Sequence, residues 1–165
     1  MINKAEFTMM DDFYAVGFVF PGPVGQFDAM GSGAFWMGQD KSCLEREDYK
    51  KLLAEGCCQL GSWVRFSNKG EQNFYFFGTM VADKDNVPQG MVALKFPGCV
   101  YAAFEMDINE DYEQFRQQIK EAWQADILPW IANSVVRPDR KGRCFEMFCG
   151  DKMTVYMPVE SKSNK

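Results

Sequence analysis

The chain has 165 residues, of which 47% are hydrophobic and 15% aromatic, enough to build one domain core and leave aromatics over to line a cavity. Its net charge of −5 excludes the broad basic face that a nucleic-acid surface needs. The absence of histidine excludes Ser-His and Cys-His catalysis and mixed Cys/His zinc sites, so any acid–base chemistry falls to carboxylates, tyrosines, cysteines or lysines.

The opening residues, 1–7, lack the uninterrupted apolar run of a signal peptide, and no apolar stretch reaches membrane-spanning length, so a cytoplasmic location is expected. Cysteines stand at 43, 57, 58, 99, 144 and 149 with no Cys-x-x-Cys pair. In such a chain they are expected to be reduced and mostly buried. No metal, cofactor, membrane or direct DNA contact is expected.

Residues 13–20, Phe-Tyr-Ala-Val-Gly-Phe-Val-Phe, predict a strand that ends at Pro21-Gly22-Pro23, where proline removes a ladder donor. From Val24 to Lys41 glycines alternate with aromatics (Phe27, Phe35, Trp36), which predicts a long loop. Its Phe35-Trp36-Met37 tip either covers a pocket as a lid or packs onto the core. Ser42 then caps a predicted helix from about Leu44 to Glu55, with Glu45, Glu47 and Asp48 where the helix dipole favours negative charge and Gly56 as its stop. Two strands follow, Ser62–Ser67 and Asn73–Val81, joined by a tight turn at Asn68-Lys69-Gly70.

Asp83 to Pro88 links this half to a second with the same order of elements. Tyr101-Ala102-Ala103-Phe104 is similar to Tyr14-Ala15-Val16-Gly17. A long helix is predicted from Asn109 or Glu110 to about Leu128, carrying Tyr112, Phe115, Ile119, Trp123 and Ile127 on one stripe, with Pro129 ending or kinking it. After a loop from Asn133 to Gly142 come two strands, Cys144–Phe148 and Thr154–Met157, around a turn at Gly150-Asp151. The expected fold is α+β: one domain over 1–165, built of tandem pseudo-symmetric strand-helix-strand-strand repeats at about 10–82 and 88–160 that form a curved antiparallel sheet around a central cavity.

Glu146 is the residue this pattern leaves to be explained. Alternation puts Phe145 and Met147 on one face of their strand and Cys144, Glu146 and Phe148 on the other, so a carboxylate sits in a strand that is apolar on both sides. Burying such a charge costs several kcal/mol unless something offsets it. Three accounts stay open: a solvated edge residue, an internal ion pair with Arg65, which holds the matching place in the first repeat, or the anionic element of a ligand pocket. Glu105 is a second carboxylate, on a face with Tyr101 and Ala103, and reads either as a cavity residue or as a solvated strand end.

The order of Val87-Pro88-Gln89-Gly90, Tyr101-Ala102-Ala103-Phe104, the Trp123 to Pro129 helix end, Cys144-Phe145-Glu146-Met147-Phe148 and Val155-Tyr156-Met157-Pro158-Val159 resembles the gyrase-inhibitor-like effector-binding family. The same module forms the ligand-binding part of AraC-type and MerR-type regulators. The resemblance covers about residues 10–160 and implies a stand-alone effector-binding domain that takes bulky apolar cations against a buried glutamate and a ring of aromatics. Glu146 and Tyr156 sit in the strands that match the family's glutamate-bearing and final strands; Phe148, Trp123, Tyr101, Glu105 and Trp36 are the further ligand-binding candidates read from the residues, with no catalytic residue assigned. An organic cation over an aromatic face gains about 0.5–2 kcal/mol per contact, and a buried carboxylate adds charge complementarity.

Two further classes stay open beside multidrug-type binding. One is a small-molecule hydrolase in which Glu146 is general base and Tyr156 or Tyr101 the acid, since apolar burial raises a carboxylate's pKa toward working pH. The other is a protein-interaction module of the gyrase-inhibitor type, in which negative charge imitates phosphate.

Overall fold

The computed structural model describes residues 2–21, 42–56, 58–65 and 73–163. Its strands are β1 (Lys4–Met10), β2 (Phe13–Pro21), β3 (Gln59–Arg65), β4 (Asn73–Val81), β5 (Val92–Phe96), β6 (Cys99–Asp107), β7 (Val136–Pro138), β8 (Phe145–Cys149) and β9 (Lys152–Ser161). Helix α1 (Glu47–Gly56) follows a 3₁₀ turn at Ser42–Glu45; α2 (Tyr112–Ala122) runs through a π turn, Trp123–Ile127, into α3 (Leu128–Ala132). Among the described residues no helix is long and apolar enough to cross a membrane.

Among the described residues one sheet holds every strand in the order β1-β6-β9-β8-β3-β4-β2-β5, with β7 pairing the far end of β9, and all these pairings are antiparallel. The central six strands read as a palindrome. β6-β9-β8 of the second repeat mirrors β2-β4-β3 of the first across the β8–β3 seam, as the tandem α+β repeat requires. β1 and β5 are exchanged: each precedes one repeat in the chain and pairs with the edge strand of the other. β1 escapes sequence reading because Lys4 to Met10 alternates weakly and is mostly exposed along its length, as a sheet edge permits.

The sheet curls strongly. Phe96 of β5 lies 5.4 Å from Phe145 of β8, ring centroid to centroid, although the two strands are four places apart and would be about 19 Å apart in a flat sheet. Arg143 Nε closes the same gap by donating to the Lys95 carbonyl at 3.0 Å. Gly17 and Gly78 face each other across β2 and β4, and a Cβ on either would run into the opposite backbone. Missing side chains at this pair let the inner face fold inward. That inner face is filled by Leu60, Val64, Phe76, Phe96, Tyr101 and Phe145, all buried.

The outer face carries the helices. Tyr49 and Leu52 of α1 pack on Val16 and Phe18, while Phe115, Ile119, Ile127 and Ile131 of the long helix pack on Ala102, Phe104, Met106, Met153 and Val155. Asp111 caps α2 by accepting from the Gln114 amide at 3.0 Å. Of the two outcomes expected at Pro129, ending the helix does not occur. The Leu128 amide reaches back to the Trp123 carbonyl, and the wider π turn takes up the proline so that the helix runs on to Ala132. The expected turn at 68–70 and the expected loop at 24–41, with its Phe35-Trp36-Met37 tip, lie outside the described residues.

The cysteine expectation is corrected at one pair. Cys58 and Cys149 lie opposite each other at the end of the β3–β8 ladder, their Cα atoms 5.1 Å apart, and form a disulfide. A sequence separation of 91 residues hides such a pair, because only the β3–β8 register brings the two together. Cys43, Cys99 and Cys144 are free thiols.

Candidate functional site

Glu146 lies in the middle of the outer face. One row of cross-strand partners runs Phe104, Val155, Glu146, Gly61, Phe77, Phe18. Phe104 and Val155 sit beneath the long helix and Phe18 beneath α1, so the carboxylate falls between the two helices. It is 2% exposed, which removes the solvated-edge account. The side chain of Arg65, the proposed ion-pair partner, lies outside the described residues.

Aromatic rings surround this position on the first-repeat side. Tyr75 and Phe77, both fully buried, form a cluster joined by Trp63, Phe148, Phe20 and Leu44. Trp63 meets Tyr75 edge-on at 5.2 Å, Tyr75 and Phe77 stack at 6.5 Å, and Phe77 meets Phe148 at 6.2 Å. Gly61 is the cross-strand partner of Glu146, and a Cβ there would overlap the Tyr75 hydroxyl. The absent side chain therefore lets the Tyr75 hydroxyl lie over the sheet beside the carboxylate. Glu146's charge is also felt by Cys144, whose thiol is pushed up to about 12, first by burial and then by Glu146.

The predicted ligand residues divide between the two sides of the sheet. Glu146 and Phe148 share the outer face, and Trp123 packs against the long-helix core that also takes in Phe148. Tyr101, Glu105 and Tyr156 point to the inner face. Tyr101 is fully buried, its hydroxyl donating to the Pro97 carbonyl at 3.1 Å. Tyr156 stacks on Phe145 at 4.7 Å, and Glu105 and Tyr156 line a polar hollow of about 120 Å³ with Lys4, Glu6 and Thr8. Burial, followed by the charges of Glu6 and Glu105, raises the Tyr156 pKa. A single constellation of Glu146 with Tyr101 and Tyr156 is thus not formed, because period-two alternation across the paired strands sends them to opposite sides. The acid–base pair of the hydrolase account is not assembled by these residues. Trp36 lies outside the described residues.

Trp63, Tyr75 and Phe77 take the places around Glu146 that the sequence reading assigned to the tyrosines. Their strands were legible, but alternation within one strand does not say which strand lies beside it. Only the β3–β8 register sets Gly61 against Glu146.

A family model described as integron-associated effector binding protein matches residues 31–160. No curated protein matches the chain in sequence. Among solved structures, SAV2435 bound to tetraphenylphosphonium superposes with a TM-score of 0.64 at 13% identity, covering 95% of this chain and 94% of that one. A putative transcription regulation protein from Staphylococcus aureus MU50 gives 0.64 at 16% identity over 96% and 99%. An integron cassette protein from the mobile metagenome of Vibrio cholerae gives 0.54 at 9% identity over 96% and 97%. At these identities the structures are alike in fold.

Proposed function

Because the chain belongs to the family of integron-associated effector-binding proteins, we propose that it binds small hydrophobic organic cations at the aromatic cluster around Glu146, the whole chain acting as one effector-binding domain of two repeats. Small-molecule binding follows from the family; the cationic preference and the role of Glu146 are what we propose. The observation that carries it is a carboxylate 2% exposed at the centre of the sheet, beside Tyr75, Phe77, Phe148 and Trp63, with a glycine opposite it.

The chemistry follows from the parts. A delocalised cation brought over the Trp63 or Tyr75 face gains about 0.5–2 kcal/mol per contact, more once water is excluded. Its positive charge offsets the cost of keeping Glu146 ionised in an apolar setting. Bulky apolar rings on the ligand add burial of apolar area, at about 25 cal/mol per Å². The tetraphenylphosphonium held by SAV2435 is a ligand of this chemical class, which supports the reading and supplies a probe.

The test compares tetraphenylphosphonium with neutral triphenylphosphine oxide by calorimetry on the natural chain and on Glu146→Gln. The substitution is expected to weaken the cation at least tenfold and the neutral probe less than twofold. Equal loss for both probes, or no binding of the cation to the natural chain, would overturn the reading.

A further inference from the structure

We propose that the Cys58–Cys149 disulfide is a redox latch on the effector site, closed when oxidised and released by a small dithiol reductant. This rests on the reading of that site given above. The latch lies where the two repeats meet. Below it the β3–β8 ladder has only three residue pairs, Gln59 with Phe148, Leu60 with Met147 and Gly61 with Glu146, whereas the β6–β9 ladder has eight. Those three pairs include the carboxylate, the glycine opposite it and one wall of the aromatic cluster. The seam that carries the site is thus short, and the disulfide closes its end.

The latch also ties the flanking helices to one another. Gly56 ends α1, and its carbonyl accepts from the Cys58 amide at 2.8 Å; the Cys58 carbonyl in turn accepts from Thr79 Oγ1 at 2.9 Å. On the other side Cys149 enters the turn at 150–151, where the Asp151 carbonyl accepts from the Ile108 amide at 2.8 Å, three residues before the Asp111 cap of α2. Reduction cuts the covalent cross-link between the two strands in this path from helix to helix. Both cysteines are only partly buried, within reach of a small dithiol.

The exchange balances. A thiolate of the dithiol attacks one cysteine sulfur, the Cys58–Cys149 bond breaks and a mixed disulfide forms. The second thiolate of the reductant then displaces the bound cysteine, so the dithiol leaves as a cyclic disulfide, oxidised by two electrons, and its two protons end on the two cysteine thiols.

Affinity for tetraphenylphosphonium is measured on the oxidised chain, on the chain reduced with dithiothreitol, after reoxidation, and on Cys58→Ser/Cys149→Ser. Reduction is expected to weaken binding at least tenfold and reoxidation to restore it, with the double variant matching the reduced state. Equal affinity in both redox states overturns the latch. If the probe binds neither state, the effector-site reading has failed, and native-state hydrogen exchange in low denaturant decides the latch alone. In the reduced chain the amides of 59–61 and 146–148 are expected to exchange through an opening with a smaller denaturant dependence than global unfolding, while Phe115 and Ile119 follow the global slope. Seam amides that follow the global slope in the reduced chain overturn it.

Discussion

Replacing Gly61 by alanine tests the geometry of the site without touching its charge. The added methyl would overlap the Tyr75 hydroxyl and come within 2.6 Å of Tyr75 Cζ, whereas relaxed carbon contacts lie at about 3.5–4.0 Å. The ring must therefore retreat by about 1 Å. It has nowhere easy to go, because Tyr75 is fully buried with Trp63 edge-on at 5.2 Å and Phe77 stacked at 6.5 Å. Overpacking of this kind costs about 1–3 kcal/mol, and at about 2–4 °C per kcal/mol for a domain of this size the melting midpoint should fall by roughly 2–12 °C. Urea unfolding of Gly61→Ala, Tyr75→Leu and the double variant isolates the cause. Leucine is too short to reach position 61, so the alanine should cost little in that background, leaving a coupling of about 1 kcal/mol or more. A Gly61→Ala cost that is the same in both backgrounds, or absent in the natural chain, would refute the placement of Tyr75 over Gly61. With it would go the account of why a glycine faces Glu146.

Three further outcomes follow from the packing and the charges. Phe145→Ala removes a ring 1% exposed that meets Tyr156, Phe96 and Tyr101 within 5.4 Å; it should cost about 3–5 kcal/mol in urea, and a loss under about 1 kcal/mol would show that the inner face is not a packed core. Asp12 accepts from the Gly98 amide and pairs with Lys95 at 3.2 Å, and these, the amide first, hold its pKa below the usual carboxylate value. Its contribution is therefore present above the unfolded-state pKa of about 3.9 and lost as pH falls through the lower folded value, so Asp12→Asn should flatten the melting profile below about pH 4 and leave the neutral side unchanged in slope. The Cys144 thiol, pushed up to about 12, stays protonated at pH 8 and should resist iodoacetamide in the folded chain while reacting in 6 M guanidinium, as read by mass spectrometry; fast native labelling at that residue would contradict the raised pKa.

Much of the architecture is legible in the residues. The strand at 13–20, the helix stopped by Gly56, the strand at 73–81, the apolar stripe of the long helix and the closing hairpin all carry their own local signals, and the repeated order of elements implies the doubled α+β sheet. The elements that escape are those whose local signal is weak or overridden. β1 is an exposed edge whose alternation is poor, and the long helix passes a proline because a π turn absorbs it.

What the sequence by itself determined is that Glu146 stands in an apolar strand, with Phe148 on its own side and Phe145 on the other, because side-chain direction within a strand follows from covalent geometry alone. Which residues become its neighbours was decided by the tertiary structure. Register across β3 and β8 sets Gly61 opposite the carboxylate and brings Cys58 to Cys149 across 91 residues; the β3–β4 pairing lays Tyr75 over Gly61, and the β8–β9 and β6–β9 pairings turn Tyr156 and Tyr101 to the inner face. Those relations depend on how distant strands pair, and a one-residue slip in that pairing would exchange every inner residue for an outer one.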